Sequence, residues 1–291
     1  MLNQFFGHFL LNKGMLTQGQ LCAVLQSEQQ IKVKLGILAV DAGLMTAAQV
    51  VRIHQLQLSK DKRFGELAIQ EGYLTSQQVD RLLEFQQQGH LTLMQAIADN
   101  GYMTLAEVAA ALADFRKEYD ITENSLDIDT NNEVIKKMLD FAAAGDRAEL
   151  LYDYVGLLLR NVVRFLNDTP FICAPITEGE QDHKWYASQQ IIGDIALSTG
   201  MIMDEAVMLE IASRFYGEKL SEVDEMALGS IGEFLNVNNG VFGSSMSDND
   251  LMTDLQAPVV KSGDINFYAT NYRVAVGTSF GQFELILSFK K

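Results

Sequence analysis

Hydrophobic and polar positions along the first ~118 residues recur with a fixed period of 29. Gly14, Gly43, Gly72 and Gly101 mark the same point in four successive copies. Each is followed three residues on by a threonine (Thr17, Thr46, Thr75, Thr104), and three further by Gln20, Gln49, Gln78 or Glu107. A fixed period of this length signals one supersecondary unit copied in tandem. In the copy from Arg63 to Gln86, Phe64, Leu67 and Ala68 have helical spacing and form one apolar face. Gly72 fits the left-handed position that ends a helix. Thr75 and Gln78 have the spacing of a capping box, which satisfies free N–H groups at the start of a second helix burying Val79, Leu82 and Leu83. The pattern predicts an all-α array of four helical hairpins over residues 1–118.

Beyond it the pattern changes. Residues 119–132 are polar and turn-rich, and 119–146 read as a linker with a connecting helix before a second domain at 147–291. Helices are predicted over Glu133–Ala144 and Ala148–Leu166, broken at Gly145. One or two strands are expected in Trp185–Thr199, and an amphipathic helix over Asp204–Tyr216, ended by Gly217. A further helix is read from Ser221, with Glu222 to Asp224 in its first turn. Strands are expected at Ile265–Val276 and Gln282–Phe289 with Gly281 in the turn between them. Phe283, Leu285, Leu287 and Phe289 alternate there with Gln282, Glu284, Ile286 and Ser288. Helices with a mostly antiparallel sheet define an α/β (α+β) second domain.

Charge is uneven between the halves. Residues 1–120 carry 10 Lys/Arg against 12 Asp/Glu, and residues 121–291 carry 12 against 26, so the second part holds −14 of the net −16. Such a surface repels a phosphate backbone, which argues against nucleic-acid binding. No run approaches the ~20 apolar residues of a membrane span. The opening stretch lacks the basic start and cleavage site of a signal peptide. With two cysteines, Cys22 and Cys173, these features lead to an expected cytoplasmic location. His8, His54, His90 and His183 lack ligand spacing, so neither a metal site nor a Ser-His-Asp set is expected.

Two groups of polar positions stand out. The inner copies alone begin with a cation before an apolar–Gly pair, Lys34-Leu35-Gly36 and Arg63-Phe64-Gly65, and end on Gln57 and Gln86. Phe5 and Thr92 replace the cation in the outer copies, and Glu28 and Phe115 replace the glutamine. Lys34–Gln57 and Arg63–Gln86 are each 24 residues long and lie five residues apart. In length and separation they resemble the N-terminal domain of the MshE-type secretion and pilus ATPases. That resemblance implies a cyclic di-GMP site in which Lys34 and Arg63 contact guanine or phosphate and Gly36 and Gly65 allow close approach. Lysine stands where arginine would give bidentate recognition.

The second group lies on the helix read from Ser221. Val223, Ala227, Ile231, Phe234 and Leu235 make its buried stripe, and Glu222, Glu225, Gly229, Glu233 and Asn236 its opposite face. Glu233 and Asn236, three apart, are neighbours on that face. Gly229 and Gly232 are read as leaving room for a partner's backbone. Taken alone, the pair is what an ordinary solvated helix face would carry. The stretches GDIALSTG (193–200), LEIASRFYGEKLSEVDEMALGSIGEFLNVNNGVFG (209–243), APVVKSG (257–263) and SFGQFELILSF (279–289) resemble, in order, the CheX/CheC/FliY family of chemotaxis phosphatases, nearest to CheX. In that family the Glu-x-x-Asn helix is the active site, here Glu233 and Asn236. The family usually has Asp or Ser four residues before the Glu; this chain has Gly229, with Ser230 one place later.

The resemblance implies hydrolysis of the aspartyl phosphate of a CheY-like response regulator. It implies no cofactor of this chain's own, Mg²⁺ on the partner receiver, and a homodimer. Asn236 would orient the attacking water and Glu233 would pair with the regulator's lysine. The alternatives are a non-catalytic adaptor that binds a receiver or flagellar switch protein, and a protein that acts chiefly as a cyclic di-GMP receptor.

Overall fold

In the computed structural model, residues 2–28, 34–57, 63–84, 89–121, 128–174, 184–263 and 271–289 are described. Contacts divide the chain into two units, one mainly Phe9–Ser125 and the other mainly Leu126–Lys291.

The N-terminal region is helical: α1 Leu2–Asn12, α2 Gln18–Glu28, α3 Leu35–Asp41, α4 Ala47–Gln57, α5 Phe64–Gln70, α6 Ser76–Glu84, α7 Gly89–Asp99 and α8 Leu105–Glu118. The same local chemistry recurs in four places. Gly14, Gly43, Gly72 and Gly101 have φ of 66°, 65°, 73° and 71°. At the first, Met15 N–H donates to Leu10 O at 2.9 Å and Gly14 N–H to Leu11 O at 2.9 Å. This pair of bonds is the Schellman closure, which needs a left-handed residue at the glycine. The following threonine then caps the next helix. Thr46 N–H donates to Gln49 Oε1 at 2.7 Å, while Gln49 N–H donates to Thr46 Oγ1 at 3.3 Å. Thr17–Gln20, Thr75–Gln78 and Thr104–Glu107 make the same reciprocal pair.

The second unit contains α9 Ile128–Met138, a 3₁₀ segment Ala142–Arg147, and α10 Ala148–Leu166. The expected helix Glu133–Ala144 therefore stops at Met138, and Gly145 (φ 56°) turns the chain into α10. Next come β1 Phe171–Ile172, β2 Lys184–Gly193, β3 Leu197–Asp204, α11 Glu205–Tyr216 and α12 Glu225–Ser247. The chain then returns through β4 Thr253–Leu255, β5 Val259–Ser262, β6 Tyr272–Thr278 and β7 Gly281–Phe289. The strands form one sheet in the order β1-β6-β7-β3-β2-β4, with β5 also pairing β2, and every described pair is antiparallel. α12 lies against β2, β4 and β5, α11 lies against β3 and β7, and α10 packs on both helices.

Three details differ from the pattern. α12 starts at Glu225 rather than at Ser221, because the Asp224 carboxylate accepts from Ala227 N–H at 2.9 Å and takes the N-cap. Val223 and Glu222 thus precede the helix. The strand expected at Ile265–Val276 is β6, Tyr272–Thr278; residues 264–270 lie outside the described residues. In β7 both faces are buried from Phe283 through Ser288, so the alternation of residue types is not an alternation of exposure.

One turn fixes the edge that supports the site. Gly193 (φ 113°) pairs with Thr253, and an added Cβ would come within 2.3 Å of Met252 O. Beside it Asp194 N–H donates to that same carbonyl at 2.9 Å, and the Asp194 carboxylate accepts from Met252 N–H at 2.8 Å. Gly193→Ala is expected to cost about 2–3 kcal/mol, combining left-handed strain with a clash against fixed backbone. A lowered denaturant midpoint at unchanged slope is the check.

Candidate functional site

α12 carries the Glu233/Asn236 pair because its apolar positions turn inward, against the sheet and against α11 and α10. Ala227, Ile231, Phe234 and Leu235 are fully buried. Phe234 meets Phe215 edge-on at 5.7 Å between ring centroids, and Phe215 meets Phe165 at 6.1 Å. With that stripe seated, Glu233 is exposed and Asn236 half-buried. Asn236 Nδ2 reaches Glu233 Oε2 at 3.4 Å, so the structure brings the pair together.

The glycines beside them differ from the expectation in one respect. A Cβ at Gly229 would meet nothing within 4 Å, so that position is open. Gly232 instead faces inward, where a Cβ would stand 3.4 Å from Pro258 Cγ and 3.6 Å from Val260 Cγ2; it gives room to this chain's own β5. Ser230 does not take the place of Gly229, since its hydroxyl donates to Met226 O at 2.8 Å and the residue is buried.

Behind Asn236 lies a buried polar chain that the sequence reading missed. Gln189 Nε2 donates to Asn236 Oδ1 at 2.7 Å and to Gln256 O at 2.7 Å. Asn239 Nδ2 donates to Gln189 Oε1 at 2.7 Å and to Thr199 Oγ1 at 2.9 Å. Tyr154 Oη donates to Asn239 Oδ1 at 2.5 Å, and Thr199 Oγ1 donates to Gln189 O at 3.2 Å. Burial pushes the Tyr154 phenol well above its ordinary pKa, which keeps it a donor. The available signal was Gln189 interrupting the inward row Ala187, Gln189, Ile191 of β2, together with Asn239 three residues after Asn236.

The nucleotide positions sit differently. Lys34 and Arg63 are both exposed and occupy the N-caps of α3 and α5 with matching extended backbone. Lys34 Nζ is paired with Asp99 Oδ1 at 2.7 Å. Gly36 and Gly65 have a packing reason of their own. A Cβ at Gly36 would fall 2.7 Å from Val50 Cγ1 and 3.2 Å from the Phe64 ring, and one at Gly65 would fall 3.1 Å from both Leu35 and Val79. Leu35 and Phe64 thus each fill the notch left by the other's glycine. Gln57 ends α4, and Gln86 lies outside the described residues.

Residues 185–275 match the family model of the chemotaxis phosphatase CheX, and the second half of the chain carries a CheX-family domain. Solved structures similar to it include CheX from Desulfovibrio desulfuricans, at 15% identity over 49% of this chain and 99% of that one, with a TM-score of 0.41. CheX from Vibrio vulnificus matches at 21% identity over 50% and 98%, with a TM-score of 0.42. A chain of the CheX–CheY–BeF3–Mg²⁺ complex of Borrelia burgdorferi matches at 15% identity over 47% and 96%, with a TM-score of 0.39. No curated protein matches the sequence. Among the described residues, no helix is long and apolar enough to cross a membrane.

Proposed function

We propose that the second unit dephosphorylates the aspartyl phosphate of a CheY-like response regulator, with Glu233 and Asn236 as its site. The observation that carries this reading is a Glu/Asn pair on α12, Glu233 exposed and Asn236 half-buried and held from behind by a buried hydrogen-bond chain, within the segment that matches the CheX family. A phosphorylated receiver supplies its own Mg²⁺ and lysine, so the partner's remaining task is to hold a water in line with the acyl phosphate. Asn236 offers Nδ2 as donor and the second lone pair of Oδ1 as acceptor, with no charge to repel the attacking water. Glu233 docks against the receiver's lysine. Neither residue is a nucleophile, and this chain supplies no metal ion to the reaction.

The net −14 of this half gives poor long-range steering toward an acidic receiver site, so association rests on local contacts. The test is the decay of a phosphorylated receiver with and without the protein. Acceleration supports the phosphatase. Binding to a receiver held in its phosphorylated form, with no acceleration of decay, would favour the adaptor, a reading to which the open Gly229 position gives weight.

The N-terminal region is taken as four copies of one helical hairpin, forming residues 1–118, joined through 119–146 to the phosphatase domain at 147–291. Its assignment as a cyclic di-GMP module is a second reading, favoured by the matching placement of Lys34 and Arg63 at two touching helices. Binding there has to open the Lys34–Asp99 ion pair. Calorimetry with cyclic di-GMP is expected to give heat with the native protein and none with Arg63→Ala; equal heats would remove the assignment. The protein is taken to act in the cytoplasm, as its sequence composition leads one to expect, and as a homodimer, as the family resemblance implies.

A further inference from the structure

We infer that Gln189 is a positioning residue that fixes which way the Asn236 carboxamide faces, an inference that rests on the phosphatase reading of that asparagine. Gln256 O can only accept, so the end of the Gln189 amide that lies 2.7 Å from it is the NH₂ end. That same Nε2 lies 2.7 Å from Asn236, so the Asn236 atom facing it is Oδ1, and Nδ2 is left on the outer side toward Glu233. The other end of the Gln189 amide is then an acceptor, and it receives Asn239 Nδ2. Asn239 in turn presents Oδ1 to the Tyr154 hydroxyl, which burial keeps protonated. Every amide in the chain has a single orientation that satisfies all its partners, and the sense is set by β4–β5 backbone rather than by solvent.

The placement follows from the strand. Ala187, Gln189 and Ile191 line the face of β2 that α12 covers, and the three are 0, 2 and 1% exposed. A glutamine in that row is costly to bury unless both ends are paired, and here both are. A leucine or methionine would fill the same volume, so packing does not explain the amide. Its distinctive effect is on the half-buried Asn236, which without a donor behind it is free to rotate and present Oδ1 outward. A partner's water would then meet the wrong group in some fraction of encounters, which lowers the rate of the in-line step without weakening docking.

The experiment uses Gln189→Met, with Gln189→Glu as a second variant. The first removes the donor at nearly constant shape; the second keeps an acceptor for Asn239 but sets a carboxylate against Asn236 Oδ1. Full-length protein is assayed on a phosphorylated receiver, and the side-chain amide resonances of Asn236 are followed by NMR, assigned by their loss in Asn236→Ala. The expected result is a fall in kcat of roughly ten- to a hundredfold with KM within about twofold. It includes displaced Asn236 amide resonances in both variants, and for Gln189→Met a lowered unfolding midpoint at unchanged slope, because one N–H of the buried Asn239 loses its acceptor. Native kcat in both variants, or an Asn236 amide unmoved by either, would overturn the inference. The two levels separate cleanly. If the native protein fails to accelerate decay, the phosphatase reading falls, while the amide resonances still decide whether Gln189 holds Asn236.

Discussion

Asn236→Ala is expected to lower kcat for receiver dephosphorylation by about a hundredfold while leaving KM within about threefold. The split follows from where the residue sits. Docking contacts come from the whole exposed face around Glu233 and the open Gly229 position, and alanine removes little of that area. What alanine does remove is the one carboxamide on that face which is oriented from behind by Gln189. An interaction felt only as the water lines up with the acyl phosphate appears in kcat, whereas one shared by ground and transition states appears in KM. The substitution leaves one N–H of Gln189 Nε2 on Gln256 O and frees the other at the half-buried position that Asn236 vacates, where water can reach it, so the fold is expected to lose no more than about 1 kcal/mol. Equal losses of activity and of unfolding midpoint would therefore point away from a direct role.

Phe234→Ala gives the largest expected effect on stability, a loss of about 3–5 kcal/mol. The ring is fully buried between the two site residues in sequence and packs edge-on against Phe215, whose other neighbour is Phe165. Truncation leaves a cavity where α12, α11 and α10 meet, and the aromatic stack cannot collapse into it without moving a helix. The expected readout is a lower denaturant midpoint with the slope unchanged. At temperatures where the variant is folded, its activity should fall because α12 no longer holds Glu233 and Asn236 in register with β2. A cost below about 1 kcal/mol would mean that α12 is not seated on this stack.

What could be seen in the sequence was what local chemistry decides. The glycine turns and threonine caps of the N-terminal region involve residues no more than five apart, and the period of 29 repeats the signal four times. Asp204 and Gly217 bound α11 where expected for the same reason: Asp204 caps through Val207 N–H and Gly217 is left-handed with φ 90°. The start of α12 was harder, because Ser221 and Asp224 both qualify as caps and only the fold selects Asp224. Gly232 could not be told from Gly229 by spacing, since the difference lies in which side β5 approaches.

The Glu233/Asn236 pair was readable as two polar residues on one helix face. Its support was not, because the contacts are remote in sequence: Asn239 reaches Gln189 across 50 residues, and Tyr154 reaches Asn239 across 85. In the first unit, Gly36 and Gly65 were read as openings for a ligand. The structure supplies a different reason for them, the mutual packing of Leu35 and Phe64 across two short helices.

The central claim is tested most directly by one comparison: the decay of a phosphorylated CheY-like receiver in the presence of saturating native protein or its Asn236→Ala variant. Fast decay is expected with the native chain and a rate near the receiver's own with the variant. Equal decay in both, whether fast or slow, would contradict an asparagine-directed phosphatase on α12.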